Sequence, residues 1–414
     1  MIVEPDHAGG DAKMNRMEER YDILVEELKE DGIDLDLVFE EMKKLRFELP
    51  SWGFSDAGTR FAVFHEEGSA QNVFQRVEDA GYVNKVTGLC PTVALHIPWD
   101  KVDDWKELVE FAEEKGVKIG AINPNLFQDP DYKYGSLAHP NPSVRRKAIS
   151  HVLECVDIAK EVGSDAISLW LADGTDYPGQ DDLRLRKERL EESLKEIYDH
   201  MRDDMYLLIE YKYFEPAFYH TDIHDWGMAY LLSSKLGERA LVLVDLGHHP
   251  QSANIEQIIA ILLSERKLGG FHFNNRKYAD DDLTIGSINP YEVFLIFKEL
   301  VSAMRDEKLR DFAMKVRYMF DQAHITKPKI EAMIQSVETA FELFVKAMIV
   351  NYDKLREHQG KMDVTMAEET LKKAFMTDVK PLIWKFKVEM GLPPDPLEYY
   401  RKDGYLERIR KERG

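Results

Sequence analysis

The stretch "GGFHFNNRKYADDDL", Gly269–Leu283, begins as an apolar run and ends in three consecutive acids. Adjacent acids repel, so water or a cation must offset Asp280, Asp281 and Asp282. His272 sits inside the apolar part, so a titratable ring is placed where a buried strand ends. Seven other stretches share this form of a short apolar run closing in polar residues. They are "PSWGFSD" (Pro50–Asp56), "VALHI" (Val93–Ile97), "VKIGAINP" (Val117–Pro124), "AISLWLA" (Ala166–Ala172), "LLIEYK" (Leu207–Lys212), "LVLVDLGH" (Leu241–His248) and "YMFDQA" (Tyr318–Ala323).

Stretches of helical period separate these runs. The clearest opens at Asn141 with Pro142 as a first-turn proline, and Gly163 ends it. Its apolar residues Val144, Ala148, Val152, Cys155, Ala159 and Val162 recur at spacings of three and four. Another opens at Asn289 and Pro290. Strands that alternate with helices imply parallel strands joined by crossovers. Eight such units predict a closed (β/α)8 barrel rather than an open doubly wound sheet, since no G-x-G-x-x-G follows any strand.

The expected organisation has three parts. Residues 1–48 form an N-terminal tail and helices, the first ~12 residues reading as a loose end. Residues 49–345 form the barrel that carries the site, and 346–414 a helical extension. That extension is amphipathic and carries Phe375, Trp384 and Phe386, which suggests contact with another subunit. The net charge of −21 disfavours nucleic acid and anionic membranes, both polyanions. Cys90 and Cys155 have no CxxC spacing, which predicts a reducing, cytoplasmic setting. The N-terminus has no apolar signal core, and no apolar stretch approaches the ~20 residues of a membrane span.

In a (β/α)8 barrel the chemistry lies at the C-terminal strand ends. Here those ends carry His96, Asn123, Trp170, Glu210, Lys212, Asp245, His248, His272, Asn274 and Asp321. Glu210 and Lys212, two apart, share a strand face, either as site residues or as a buried ion pair. Asp245 and His248 flank Gly247 at a turn spacing that lets both reach one cation. In extended chain Asp280 and Asp282 share a face while Asp281 points away. Glu210, Asp245, His248, His272, Asp280, Asp282 and Asp321 are thus seven candidate ligands. Any one of these acids is more often a solvated loop residue or a helix cap. Seven together suit two ions sharing a bridging carboxylate. Carboxylates and imidazoles without thiolates favour Mn²⁺, with Co²⁺ or Mg²⁺ as alternatives. Trp52 and Trp170 can pack on the C–H faces of a sugar. His139, His151, His220, His224, His249 and His324 read as surface or supporting groups.

The motifs "SWGFSDAGTRF", "TGLCPTVALHIPWD", "ISLWLADGTDYPGQD", "IEYKYFEPAFYHTD", "VDLGHHPQSANIEQI", "FHFNNRKYADDDLTIGS" and "FDQAHI" resemble the broad-specificity bacterial L-rhamnose isomerases. That family lies within the xylose isomerase-like barrel superfamily, and the resemblance covers roughly residues 45–345. It implies a structural ion on Glu210, Asp245, His272 and Asp321. A catalytic ion would lie on Asp245, His248, Asp280 and Asp282. It also implies sugar contacts from Lys212 near O1 and His96 at the ring-oxygen end, with Trp52 and Trp170 lining the pocket. Lys212, His96 and Asp321 are the expected catalytic residues. A homotetramer is implied, with Phe61 closing a neighbour's pocket. The family often has Asp where this chain has Asn275.

The expected reaction is conversion of L-rhamnose to L-rhamnulose, and of other aldoses, by a metal-assisted hydride shift between C2 and C1. An enediol route needs a free base at C2, and nearly every inward carboxylate is already assigned as a ligand. The rivals are a one-metal ketose 3-epimerase and a metal-dependent apurinic endonuclease of the same barrel type. The first needs two free carboxylates, and the second a basic face.

Overall fold

The computed structural model describes residues 7–58, 63–215 and 219–414. Eight strands form a closed barrel: β1 (Glu48–Pro50), β2 (Thr92–Ile97), β3 (Lys118–Pro124), β4 (Ala166–Leu169), β5 (Tyr206–Glu210), β6 (Ala240–Asp245), β7 (Leu268–Phe273) and β8 (Arg317–Phe320). Each strand pairs in parallel with its two sequence neighbours, and β8 returns to β1. Strands covered by helices outside and by each other's side chains inside are apolar between their polar ends, and β6 and β7 are buried at every residue.

Helix limits follow the expected caps. The helix Pro142–Val162 is capped by Asn141, whose side chain accepts from the Ser143 amide, and it ends on left-handed Gly163. Asn289 caps Pro290–Met304 in the same manner. Two expectations shift. The first strand ends at Pro50, the first residue of "PSWGFSD", because Ser51–Phe54 close into a short 3₁₀ turn that carries Trp52 over the barrel's end. The N-terminal helix begins at His7, inside the stretch expected to be a loose end, and residues 1–6 lie outside the described residues.

The barrel interior beneath the strand ends is a compact apolar plug. Ala94, Ala121 and Ala166 on β2–β4 face Leu208, Leu241, Leu243 and Met319. A bulge interrupts the β2–β3 register between Val93 and Leu95. The Glu48 carboxylate accepts from the Ala121 amide at 3.2 Å, inside that irregular stretch. The β1–β8 seam depends on close approach: a Cβ on Gly53 would lie 2.9 Å from the Gln322 carbonyl and 2.4 Å from Met333 Cε.

The helices after the barrel lie on this chain's own barrel. Buried Lys387 pairs with Glu338 of the helix Lys329–Met348, and Arg401 pairs with Glu331 at 2.7 Å. The Arg413 side chain is buried against Asp79 at 2.6 Å, and Tyr405 donates its hydroxyl to the same carboxylate at 2.8 Å. Burial raises the Asp79 carboxyl to about 6, against the opposing pull of Arg413. No helix among the described residues is long and apolar enough to cross a membrane.

Two outcomes follow. Gly53→Ala forces the β1–β8 seam apart and should cost ~1–3 kcal/mol, read as a lower thermal midpoint. Arg413→Met leaves Asp79 buried without its cation and should cost ~3–5 kcal/mol in the same assay. An unchanged midpoint in either variant contradicts the contact described.

Candidate active site

A cavity of about 180 Å³ opens at the C-terminal strand ends, and its two sides differ in chemistry. Strands β5–β8 supply acids and imidazoles. Strands β1–β4 and their loops supply aromatic rings. Glu210 ends β5, Asp245 ends β6, His272 is the penultimate residue of β7, and Asp321 directly follows β8. Register places Asp245 beside His272 on adjacent strands. Parallel strands thus bring residues far apart in sequence into one ring of side chains.

One ligand atom from each of Glu210, Asp245, His272 and Asp321 lies within 4.8 Å of the others. His272 Nδ1 is 3.2 Å from Glu210 Oε2, 3.6 Å from Asp321 Oδ2 and 4.0 Å from Asp245 Oδ2. Yet that nitrogen is buried and has no well-aligned hydrogen-bond partner. An imidazole nitrogen aimed at three carboxylates without a hydrogen bond is the arrangement of a metal ligand. The donor set fits a divalent cation that prefers oxygen and nitrogen.

His248 lies beside this group. Its Nδ1 is 3.0 Å from the Tyr211 carbonyl, while Nε2 is 3.0 Å from Asp280 Oδ1 and 4.0 Å from Asp245 Oδ2. A carbonyl at one nitrogen fixes the ring and turns the other toward the acids. Asn274 donates from Nδ2 to both oxygens of Asp245, each at 3.0 Å, and Gly247 donates its amide at 2.7 Å.

The triple acid behaves differently from an extended chain. Asp280 and Asp282 adopt left-handed backbone, with φ of 51° and 46°. Even so, both line the cavity, and Asp281 points away to accept from the amides of Lys277, Tyr278 and Ala279. The separation of roles holds, but a turn produces it rather than strand alternation. Asn275 is no ligand: its Oδ1 accepts from the Ile288 and Asn289 amides.

The charges here are poorly balanced. Burial, then repulsion from Asp280, pushes the Asp282 carboxyl well above the carboxylate range. Burial also raises Asp245, with His248 opposing and Glu210 adding. It raises Asp321, with His272 opposing. Burial disfavours the charged His272 ring, but Glu210 and the other acids outweigh it and raise its pKa to about 9. Without a cation, the histidines must therefore take protons to neutralise the acids.

Lys212 lies beyond the end of β5 and is not the partner of Glu210. Its Nζ reaches Asp280 Oδ2 at 2.5 Å and Glu215 Oε2 at 2.8 Å, and lies 5.1 Å from the Trp170 ring centre. Burial works against this ammonium, but the two acids hold its pKa above the usual lysine value.

The opposite wall is aromatic. Trp52 meets His96 edge-on at 5.6 Å, Trp99 stacks on His96 at 3.9 Å, and Phe127 meets Trp170 at 4.9 Å. Trp52 Nε1 donates to Asp321 Oδ1 at 2.8 Å, joining the two walls. Burial pushes His96 down to about 3, so its ring is neutral at physiological pH. Its Nδ1 and Trp170 Nε1 are buried without partners.

The structure brings together every expected ligand and sugar-facing residue except Phe61, which lies outside the described residues. Trp99, Phe127 and Glu215 were not anticipated. Trp99 follows directly on the strand end "HIP", so its position was available in the sequence, whereas Phe127 lies on a loop without any pattern. His249, expected at the surface or in support, is buried with Nε2 2.6 Å from the Tyr211 hydroxyl. A larger hollow of about 1470 Å³ at the barrel's other end contains Glu48, Lys118 and Arg317 but, among the described residues, no comparable ligand group.

Comparison with known proteins agrees with this geometry. A probable sugar isomerase of Rhizobium meliloti (strain 1021) is 42% identical over 398 residues, 95% of this chain and 92% of its own length. An L-rhamnose isomerase of Rhodopirellula baltica is 22% identical over 389 residues, covering 85% of this chain and 87% of its own. The solved structure of an L-ribulose 3-epimerase shares the fold, with a TM-score of 0.51 at 12% identity over 80% of this chain and 97% of that one. Residues 75–338 match the xylose isomerase-like TIM barrel, and the chain belongs to that family.

Proposed function

We propose that this chain is a divalent-metal-dependent aldose–ketose isomerase that converts L-rhamnose to L-rhamnulose and acts on related aldoses. The observation that carries the proposal is the unpartnered His272 nitrogen facing Glu210, Asp245 and Asp321 at the mouth of a cavity walled by indoles. Glu210, Asp245, His272 and Asp321 would hold one ion. Asp245, His248, Asp280 and Asp282 would hold a second, with Asp245 shared. Mn²⁺ is the leading candidate, ahead of Co²⁺ and Mg²⁺. Bound there, divalent ions supply Lewis acidity to two neighbouring sugar oxygens.

The chain's own residues do the rest. Hydrogen passes from C2 to C1 with its electron pair, and a proton moves from O2 to O1. Negative charge develops at the sugar oxygens during the transfer, and among the described residues Lys212 is the ammonium lining the cavity to meet it. Neutral His96 offers a hydrogen bond to the other end of the sugar without titrating at working pH. Trp52, Trp99 and Trp170 present flat faces to C–H bonds and exclude water. Asp321 accepts from the Trp52 indole and would also help to hold the ion. The resemblance supports a homotetramer in which Phe61 closes a neighbouring pocket. The two free, buried cysteines support a cytoplasmic setting.

One observation favours a second reading, a one-metal ketose 3-epimerase. The residues already at ligand spacing number four, enough for one ion, while Asp280 is engaged by Lys212 and His248. Products separate the two readings, because an epimerase returns a ketose from a ketose and leaves aldoses untouched. The −21 charge opposes an apurinic endonuclease.

Purified protein should contain two divalent ions per chain by elemental analysis. A chelator should abolish aldose isomerisation, and Mn²⁺ should restore it. Full activity in metal-free protein contradicts the proposal, and a single ion with ketose-only turnover favours the epimerase. Lys212→Met should lower kcat by ~10²–10³ with metal content retained. Near-normal turnover removes Lys212 from the reaction, and a metal-depleted, unstable variant makes it a structural partner only.

A further inference from the structure

Lys212 is two residues past the last ladder position of β5, so barrel hydrogen bonds do not fix its backbone. A separate segment does. The Lys212 amide donates to the Ile223 carbonyl at 3.0 Å, and the Thr221 hydroxyl donates to the Lys212 carbonyl. Both peptide groups of Lys212 are thus held by residues 221–223, and Asp222 lies between the two anchors.

Asp222 is gripped by Arg186, from the helix Leu183–His200. Arg186 Nε lies 2.8 Å from both Asp222 oxygens. Its Nη1 reaches Asp181 Oδ2 and the Tyr134 carbonyl, each at 3.1 Å. The side chain is only 4% exposed. The same segment is tied to the loop after β4, since the Asp222 amide donates to the Asp173 carbonyl at 2.8 Å. Asp173 in turn accepts from the Ser136 hydroxyl and from the Ser136 and Ala138 amides. A guanidinium has a planar fork that can hold several oxygens at fixed angles, which an ammonium cannot. No atom of this group lines the cavity, so it touches no substrate.

We infer that Arg186 is a positioning residue for the reaction: through Asp222 it fixes the 221–223 segment that holds the backbone of Lys212. This rests on Lys212 acting in the isomerisation. The group matters because Lys212 meets a charge that develops during the reaction, and small misplacements of such a group are costly.

A double-mutant cycle tests it with Arg186→Lys, Lys212→Met and the combination, measured for kcat, KM, bound metal and thermal midpoint. Arg186→Lys keeps the charge but loses the fork. It should lower kcat by about 10–10²-fold with KM changed little and metal retained. In the Lys212→Met background the same substitution should cost no further kcat, because the ammonium it positions is gone. Multiplicative losses in the double variant, or an unchanged kcat in Arg186→Lys, overturn the inference. Asp222→Asn provides an independent arm, since it weakens the link and leaves Arg186 paired with Asp181. Its loss should likewise vanish in the Lys212→Met background, and persistence there also overturns the inference. Near-normal turnover of Lys212→Met alone rejects the role of Lys212 instead, so the two failures are distinct.

Discussion

Five carboxylates, from Glu210, Asp245, Asp280, Asp282 and Asp321, crowd one end of the barrel, and they cannot all be ionised there without nearby positive charge. Most features of the site answer that constraint. His248 and His272 take up charge, Lys212 neutralises Asp280, and Asn274 and Gly247 donate to Asp245. Such an arrangement is costly for a protein that needs only to fold, because apolar residues of similar volume would pack there without penalty. It makes physical sense when a divalent cation replaces the borrowed protons.

The rest of the barrel holds this cluster in place. The apolar plug below the site sets a floor, and the parallel register sets the height at which each ligand emerges. The tail helices hold the outer layer through Lys387 with Glu338 and Arg413 with Asp79. Family membership and the site geometry point the same way, since the matched residues 75–338 include every candidate ligand.

The fold and the clustering of the candidate ligands were legible in the sequence for a common reason. An apolar run that stops at a charged residue marks both a strand and its C-terminal end, and seven of the eight strands carried that signal in place. The exception is β1, three residues long, where only Pro50 of the quoted stretch lies in the strand and the next four residues form the 3₁₀ turn. Asp280 and Asp282 were recognised by adjacency, but their left-handed backbone was not, because non-glycine residues seldom adopt it. Arg186 and Asp222 were invisible. They lie on a helix and a loop without periodic meaning, and only folding brings them together. The C-terminal helices read as amphipathic, but a pattern of apolar residues does not say which surface it covers, and the structure shows them on their own barrel.

The split of the cavity into an aromatic side from β1–β4 and an ionic side from β5–β8 has a consequence for descent with modification. Every aromatic ring described on that wall lies at or before Trp170, and every candidate ligand lies at or after Glu210. The aromatic wall and the candidate ion ligands are therefore encoded in consecutive, non-overlapping parts of the gene. A crossover between residues 170 and 210 exchanges one wall whole while leaving the other intact. Apart from Trp52, whose indole donates to Asp321, point changes in the first part can remodel the aromatic surface without unbalancing the buried charge. A barrel built in this way can diversify what it accepts while the chemistry it supports stays constant.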